Sequence, residues 1–293
     1  MNSRRRMLIL SLAAALASPE VGARDSDALK KILKRVGGRL GVHALDSQSG
    51  KRIGHDENSR YAMASTFKVP LAAALLWQVD RGAFKLDHHL VITHEDVISH
   101  SPAVEAKLAA GATAMSVREL CEAVVTLSDN AAANVLLAGI GGPPALTRFC
   151  RSLGDEVTRL DRTELALNNN VAGDPRDTTS PRAMVDLLLK IFTQDVISLP
   201  SRAMLIDWMT VSKTGLDRLR AGLPRGWQVG DKTGTGENGA INDLVIAYPP
   251  QRRPVFIAVY MSDSALPTKD LIAAHAEIGA VLGTEFQAKF AKE

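Results

Sequence analysis

The chain has 293 residues, 46% of them hydrophobic and 23% charged, with a formal net charge of +3 at pH 7. This is the composition of a globular protein with one large domain or two interleaved ones. Residues 1–23 carry three arginines and one glutamate, so the rest of the chain has a charge of only about +1. Such a small charge gives no indication of the basic surface that binds nucleic acid or an acidic membrane, and we expect neither as a partner.

The amino terminus has the three parts of a secretory signal peptide. A basic start of three arginines precedes an apolar run over residues 7–17, and the small residues Val21-Gly22-Ala23 follow as a cleavage site. Eleven apolar residues are too few to cross a bilayer, which takes about 20. The consecutive arginines also resemble a twin-arginine signal. We therefore expect residues 1–23 to be removed on export, with cleavage near Ala23, and the mature protein to be periplasmic without a membrane anchor.

The periodicity of apolar residues predicts strands at both ends of the chain and a long helical region between them. The predicted strands are residues 39–45, 51–55, 227–232, 244–248 and 255–261. The predicted helices are residues 26–36, 65–81, 116–126, 130–139, 145–153, 180–192, 200–209 and 270–290. Between residues 61 and 211 we expect no strand.

These elements indicate an α/β (α+β) fold. A single five-stranded antiparallel sheet would be flanked by the terminal helices and interrupted in the sequence by an all-helical domain. The sheet domain would comprise residues 24–60 and 212–293, and the helical domain residues 61–211. Because ligand pockets form preferentially where domains meet, we expect the active site at the seam between the two.

Ser65 and Lys68 lie near the start of a run, residues 63–76, that is apolar on nearly all sides. Such a run is typical of a buried helix. At this spacing the hydroxyl and the amine share one side of a helical turn. The amine can take the hydroxyl proton, and the helix N-terminus favours negative charge nearby. Taken alone, the tetrapeptide is more often a helix cap followed by a solvated lysine.

Two further polar motifs follow at longer intervals. A Ser-Asp-Asn tripeptide at residues 128–130 lies between predicted helices, where it would supply a proton carrier and an amide, although a helix cap is the commoner reading. Lys-Thr-Gly-Thr-Gly at residues 232–236 continues a strand, and its glycines leave room for a ligand along the strand edge. Its lysine and threonines would bind a carboxylate. The alternative is a glycine-rich hairpin.

The segment 159–179, which we call the 159–179 loop, shows neither helical nor strand periodicity, and loops of this length are usually functional. Glu164 and Asn168 lie in it four residues apart and would hold one water between them, Glu164 as the base and Asn168 as the positioning group. Arg162 and Asp177 stand near its ends and would pin it with an ion pair. Solvated loop side chains are the alternative for each pattern taken by itself.

Cysteines and histidines give no sign of a metal centre. The two cysteines, Cys121 and Cys150, could pair in an oxidising compartment, but two cysteines do not make a disulfide framework, and we expect buried free thiols. The seven histidines are scattered without the spacing of metal ligands. We therefore expect neither a metal nor a cofactor.

All four motifs occur in one chain in the order Ser-x-x-Lys, Ser-Asp-Asn, Glu-x-x-Leu-Asn and Lys-Thr-Gly. This set resembles the class A serine β-lactamases, and the resemblance extends over essentially the whole mature chain. Arg176-Asp177-Thr178-Thr179 and Leu223-Pro224-x-x-Trp227 are also similar to that family. The resemblance implies a monomeric enzyme that hydrolyses the β-lactam ring of penicillins and cephalosporins and gives antibiotic resistance.

The resemblance also implies the catalytic roles. Ser65 would attack the lactam carbonyl and form an acyl-enzyme, with its proton taken by Lys68 or by Glu164 acting through water. Ser128 would pass a proton to the departing ring nitrogen. Glu164 with Asn168 would then activate the water that frees Ser65.

The substrate-binding residues are implied in the same way. They are Asn130, Asn168, Arg218, Lys232, Thr233, Gly234, Thr235 and His100. Asn130 would hold the side-chain amide of the substrate, Arg218 would assist the lysine and threonines in binding its carboxylate, and His100 would border the pocket. The backbone N–H groups of Ser65 and Thr235 would form the oxyanion hole.

The chain departs from the family pattern at two places that matter for function. Leu165 follows Glu164 where many members have proline, so we expect a less rigid loop and a less fixed water position. Ala64 and Gly236 occupy the positions of the disulfide found in dedicated carbapenemases, so carbapenem hydrolysis is not implied.

Three other classes of protein remain open from the motifs. A penicillin-binding D-Ala-D-Ala peptidase shares the first and last motifs, but it would stall as an acyl-enzyme, and Glu164 with Asn168 argues against it. A lactam-binding sensor domain would also form a lasting adduct, but such domains are normally tethered to a membrane helix. A periplasmic protein without chemistry would need all four motifs to occur by chance.

Overall fold

The computed structural model describes residues 27–287, so the predicted signal peptide lies outside the described residues. The helices are α1 (Asp27–Val36), α2 (Lys68–Asp80), α3 (Pro102–Ala109), α4 (Val117–Thr126), α5 (Asn130–Ile140), α6 (Pro143–Ser152), α7 (Pro181–Thr193), α8 (Leu199–Thr210), α9 (Leu219–Gly222) and α10 (Thr268–Gln287). The strands are β1 (Arg39–Asp46), β2 (Arg52–His55), β3 (Tyr61–Ala62), β4 (His89–Val91), β5 (Ala114–Ser116), β6 (Thr178–Thr179), β7 (Gln228–Thr235), β8 (Ile241–Tyr248) and β9 (Val255–Ser262). Within this range, no helix has both the length and the apolar character that crossing a membrane requires.

The main sheet has five antiparallel strands in the order β2-β1-β9-β8-β7, which confirms the predicted five-stranded antiparallel sheet. Strands from the two ends of the sequence meet at its centre, where Val42 of β1 lies opposite Val259 of β9. β7 forms one edge of the sheet, so one side of this strand is not paired with another strand of the sheet. That side faces the helical region.

Both faces of this sheet are buried, which explains why β9 is apolar over its whole length. Successive residues of a strand point to opposite faces. Phe256 and Tyr260 accordingly pack in the core formed with α2 and α4 to α8, whereas Ile257 and Val259 pack in a second core formed with α1, α9 and α10.

The helical region contains four short strands, so the expectation of no strand between residues 61 and 211 was wrong. β3 pairs with β6, and β4 pairs with β5. Strands of two or three residues are too short for an alternating pattern to emerge, and their pairing depends on tertiary contacts. The β3–β6 pair matters for function because it joins the chain just before Ser65 to the end of the 159–179 loop.

α3 was also missed, because its N-terminus is stabilised by a residue distant in the sequence. Pro102 occupies its first turn, as is common, but Ser101 makes no side-chain capping bond. Instead Asp129 accepts hydrogen bonds from the backbone N–H groups of Ala103 at 2.8 Å and Val104 at 3.2 Å.

Candidate active site

Ser65 lies on a 3-10 turn that begins at Ala64 and leads directly into α2, which itself begins at Lys68 rather than at Ser65 as predicted. Ala64 has a φ of 43°, a conformation that non-glycine residues adopt only when their surroundings impose it. Asn242 of β8 donates its side-chain amide to the carbonyl of Met63 at 3.1 Å. The neighbouring edge strand β7 therefore runs close beside the Ser65 turn.

Lys68 is completely buried, and its ammonium group sits among oxygen atoms. Its Nζ lies 3.0 Å from Glu164 Oε1 and donates to the Ser128 carbonyl at 2.8 Å and to Asn130 Oδ1 at 2.5 Å. Burial lowers the pKa of Lys68, and the nearby Glu164 carboxylate acts in the opposite direction. The amine is thus brought nearer to the neutral form, which can accept a proton.

Glu164 contacts both Ser65 and Lys68, and it is 6% exposed. Its Oε1 accepts from Ser65 Oγ at 3.3 Å, and its Oε2 accepts from Asn168 Nδ2 at 2.6 Å. The peptide bond between Glu164 and Leu165 is cis. Glu164 and Asn168 are therefore in direct contact within the 159–179 loop.

Asn134 is a site residue that the sequence analysis missed. Its side chain makes two hydrogen bonds of 2.9 Å with the backbone of Glu164, one to the N–H and one to the carbonyl. A signal existed in the sequence, because Asn134 lies one helical turn after Asn130 and therefore on the same side of α5.

Ser128 lies between two buried amines. Its Oγ accepts from Lys232 Nζ at 2.9 Å and from Lys68 Nζ at 3.4 Å, and its φ of 60° is in the left-handed region. Burial lowers the pKa of Lys232 far below its ordinary value, and the positive charge of Lys68 lowers it further. The hydroxyl of Ser128 is thus within hydrogen-bond distance of two amines, so a proton can pass between these three groups.

The edge strand β7 carries the lysine and threonines that the sequence analysis predicted to bind a carboxylate. Arg218, which is 5% exposed, donates to Thr235 Oγ1 at 2.8 Å and to the Gly234 carbonyl at 2.9 Å. Thr233 Oγ1 donates to Thr214 Oγ1 at 2.8 Å, a contact that nothing in the local sequence indicated. Arg218 therefore lies against the same strand as Lys232, as the resemblance implied.

Two buried carboxyl groups belong to this strand and its neighbour β8. Asp231 is buried and forms an ion pair with Arg220. Asp243 is fully buried on the neighbouring strand β8, and its Oδ2 accepts from the Leu219 N–H at 3.2 Å. Burial, together with the negative charge of Asp231, raises the pKa of Asp243 well above its ordinary value.

His100 lies at the exposed rim of the site, and its backbone carbonyl helps to hold Asn130. Its carbonyl accepts from the Asn130 N–H at 3.0 Å, while Asn130 Nδ2 donates to the Ser99 carbonyl at 2.8 Å. The His100 ring donates from Nε2 to the Leu127 carbonyl at 2.9 Å. These contacts orient Asn130 towards Lys68.

The ends of the 159–179 loop are held together by the predicted ion pair between Arg162 and Asp177. Arg162 Nε donates to Asp177 Oδ2 at 2.5 Å, and Asp177 Oδ1 accepts from the backbone of Asp161 and Arg162. The Asp177 carbonyl in turn accepts from the Met63 N–H at 2.9 Å. The loop that carries Glu164 is therefore tied to the residues that precede Ser65.

The sequence predicts no metal site and two buried free thiols. Within residues 27–287, no group of three or more His, Cys, Asp or Glu side chains is arranged to hold a metal ion. Cys121 and Cys150 are buried free thiols, and burial raises the pKa of each to about 12.

Comparisons with known proteins agree with this geometry. The sequence model of the β-lactamase enzyme family matches residues 25–286. β-Lactamase L2 of Stenotrophomonas maltophilia is 42% identical over 260 residues, which cover 88% of this chain and 84% of that protein. The solved structure of the last common ancestor of Gram-negative class A β-lactamases (GNCA4) has 49% identity and a TM-score of 0.86, covering 88% of this chain and 98% of that chain. A β-lactamase structure from Xanthomonas campestris has 42% identity and a TM-score of 0.84, with 87% and 94% covered.

Proposed function

The chain belongs to the class A β-lactamases, which are serine hydrolases that open the β-lactam ring, and from this premise we propose that it turns over penicillins and cephalosporins through an acyl-enzyme on Ser65. The proposal rests on the position of Glu164. One of its carboxylate oxygens contacts both Ser65 and Lys68, and the other contacts Asn168.

In the acylation step, Ser65 Oγ attacks the lactam carbonyl carbon and loses its proton. Lys68, whose pKa burial lowers, and Glu164, whose Oε1 is 3.3 Å from Ser65 Oγ, are the two groups placed to receive that proton. The backbone N–H groups of Ser65 and Thr235 stabilise the oxyanion, and each such donor typically contributes about 10²–10³ in rate.

Collapse of the tetrahedral intermediate breaks the bond between the carbonyl carbon and the ring nitrogen. The nitrogen then needs a proton, which Ser128 supplies. Its hydroxyl is replenished from Lys68 or Lys232, which lie 3.4 and 2.9 Å away. The short paths between these three groups support a relay that needs no metal ion or cofactor.

Deacylation is assigned to Glu164 and Asn168. A water held between them is deprotonated by Glu164 and attacks the acyl carbon. The bond from the acyl carbon to Ser65 Oγ then breaks, and Ser65 Oγ recovers the proton from Glu164, whose Oε1 is 3.3 Å away. This step distinguishes a turnover enzyme from a D-Ala-D-Ala peptidase or a lactam sensor, which would remain acylated. The bonds of Asn134 and Asn168 to Glu164 support the assignment, because they fix both its backbone and its carboxylate.

Substrate binding is assigned to two sides of the site. The carboxylate shared by penicillins and cephalosporins is bound by Lys232, Thr233 and Thr235, with Gly234 leaving space along the strand and Arg218 adding its positive charge through Thr235. On the other side Asn130 and Asn168 contact the side-chain amide, with His100 at the rim.

Export and oligomeric state stay predictions from the sequence. We propose a monomeric periplasmic enzyme whose residues 1–23 are removed on export. Amino-terminal sequencing of protein from a periplasmic extract, together with light scattering of the purified enzyme, tests both statements. A retained terminus or a dimer would contradict them.

The test of the proposed function is the intact mass of the protein mixed with excess benzylpenicillin, measured together with the loss of the lactam ultraviolet absorbance. We expect rapid loss of the lactam and a return of the protein to its starting mass. A persistent adduct with little lactam consumed would show that Glu164 does not support deacylation. Ser65→Ala is the matched control and should form no adduct.

A further inference from the structure

The start of α9 lies between a buried aspartate of β8 and a buried histidine of α10. Asp243 Oδ2 accepts from the Leu219 N–H at 3.2 Å. Gly279 of α10 approaches Leu219 so closely that a side chain at Gly279 would collide with the Leu219 carbonyl oxygen. His275 lies one helical turn before Gly279 and therefore on the same face of α10. Asp243 and His275 are thus both brought close to the residue that directly follows Arg218.

Arg218, Asp243 and His275 each contain one buried polar atom that has no hydrogen-bond partner among residues 27–287. These atoms are Arg218 Nε, Asp243 Oδ1 and His275 Nε2. Asp243 and His275 are fully buried, and Arg218 is buried apart from 5% of its surface. Buried polar atoms are nearly always paired with the protein or with ordered water, because an unpaired one bears the whole cost of losing its hydration. The three atoms therefore call for a partner that is not a protein atom.

The hydrogen-bonding character of the three atoms identifies that partner. His275 Nδ1 donates to the Leu271 carbonyl at 2.9 Å, and burial lowers the pKa of the ring from 6.5 to about 3, with the charge of Arg218 lowering it further. The ring is therefore neutral, and its Nε2 is an acceptor, whereas Arg218 Nε–H is a donor. Asp243 Oδ1 accepts when ionised and donates when protonated. Water satisfies either combination, and a buried water typically makes about three hydrogen bonds.

We propose that a single buried water bridges Arg218 Nε, Asp243 Oδ1 and His275 Nε2, and that His275 is thereby a positioning residue for binding of the substrate carboxylate. This inference rests on the proposed function, which assigns part of that binding to Arg218. The charge of Arg218 acts on both His275 and Asp243, although none of the three atoms bonds directly to another. A separation of this kind suits one bridging molecule.

The bridge completes the hydrogen bonding of the Arg218 guanidinium. Its Nη1 donates to the carbonyls of Gly234 at 2.9 Å and Asn242 at 2.6 Å, and its Nη2 donates to Thr235 Oγ1 at 2.8 Å. These bonds hold only the Nη end of the group. A water on Nε fixes the plane of the guanidinium at its other end as well, so Nη2 stays directed at Thr235 and at the carboxylate that Thr235 binds.

A crystal structure of the wild-type protein tests the bridge directly. We expect an ordered water at roughly 2.7–3.2 Å from each of Arg218 Nε, Asp243 Oδ1 and His275 Nε2. A site without water, or a water that does not contact all three atoms, would overturn the proposal.

His275→Leu and His275→Gln form a matched pair of variants that isolates Nε2. Both lose the Nδ1 bond to Leu271, but the glutamine side-chain oxygen can accept where Nε2 accepts, and leucine cannot. The substrates are benzylpenicillin and its methyl ester, in which the carboxylate charge is absent. We expect His275→Leu to lower kcat/KM for benzylpenicillin about three- to tenfold, mainly through KM, which is the typical effect of one lost hydrogen bond. The value for the ester should not change.

The glutamine variant should recover most of the change in KM. Equal losses for the two substrates, or equal losses in the two variants, would show that His275 acts only on stability and would overturn the proposal. An unchanged KM in His275→Leu would overturn it too. A wild-type protein that does not turn over benzylpenicillin would instead contradict the proposed function. Because the wild-type crystal structure tests the bridge by itself, the proposal can be refuted even if the leucine variant does not fold.

Discussion

Asn134 holds the backbone of Glu164 from both sides, accepting from its N–H and donating to its carbonyl, each at 2.9 Å. Asn134 belongs to helix α5, whereas Glu164 lies in the 159–179 loop, which has little regular structure of its own. Because Asn134 is held in a regular helix, these two bonds restrict the movement of the loop backbone at Glu164. The carboxylate of Glu164 therefore keeps its place beside Ser65 and Lys68.

We expect Asn134→Leu to slow turnover of benzylpenicillin about 100-fold, because a displacement of about 1 Å in a catalytic group typically costs that much. Leucine has the same number of side-chain heavy atoms and the same branching as asparagine but makes neither hydrogen bond. Stopped-flow kinetics should show a normal acylation burst followed by slow release. A loss of the burst itself, or an unchanged kcat, would contradict the positioning role.

Glu164→Ala should still be acylated but should release product slowly, because it lacks the base that activates the water. General bases contribute about 10²–10⁴ in rate, and we expect kcat to fall within that range. Intact mass spectrometry should show the penicilloyl adduct persisting for minutes. Glu156→Ala, which removes a glutamate with a side chain 79% exposed, is the control and should behave as wild type. Rapid product release by the Glu164 variant would exclude the proposed role.

The motifs and the main sheet could be predicted from the sequence because their signals are local. The spacing of Ser65 and Lys68, and the apolar runs of β8 and β9, depend on neighbouring residues only. The same reasoning predicted the ion pair between Arg162 and Asp177, since both stand near the ends of one loop.

Features that depend on distant residues could not be predicted in this way. α3 is capped by Asp129, and Thr214 meets Thr233 only after the chain has folded. Asn170 and Asn238 likewise meet although they lie far apart in the sequence, each side chain donating to the backbone carbonyl of the other, and neither belongs to a recognisable motif.

Arg218 should not be replaceable by lysine. Its guanidinium makes three hydrogen bonds, to Gly234, Thr235 and Asn242, and a lysine cannot reproduce that planar geometry. Hydrogen bonds to charged groups contribute about 1.5–3 kcal/mol, so we expect Arg218→Lys to lower kcat/KM for benzylpenicillin by about 10- to 100-fold, mainly through KM. Steady-state kinetics tests this. A variant with wild-type KM would show that Arg218 does not assist carboxylate binding.

His43 provides a separate prediction about acid stability. It is fully buried in β1, with Nδ1 donating to Glu57 and Nε2 accepting from Arg52 at 2.8 Å, and this pair of contacts requires the neutral ring. Burial, followed by the positive charge of Arg52, lowers the pKa of His43 from 6.5 to about 4.

Because the pKa in the folded state is lower than in the unfolded state, the stability that neutral His43 provides is fully present above pH 6.5. It is lost as the pH falls towards 4, and at about 1.36 kcal/mol per pKa unit the loss is about 3 kcal/mol. We expect urea denaturation to show His43→Gln losing less stability than wild type between pH 6.5 and 4, since glutamine does not titrate. Carboxylates that titrate in this range are common to both proteins, so the difference between the two curves isolates His43. Parallel curves would show that His43 is not held neutral by the fold.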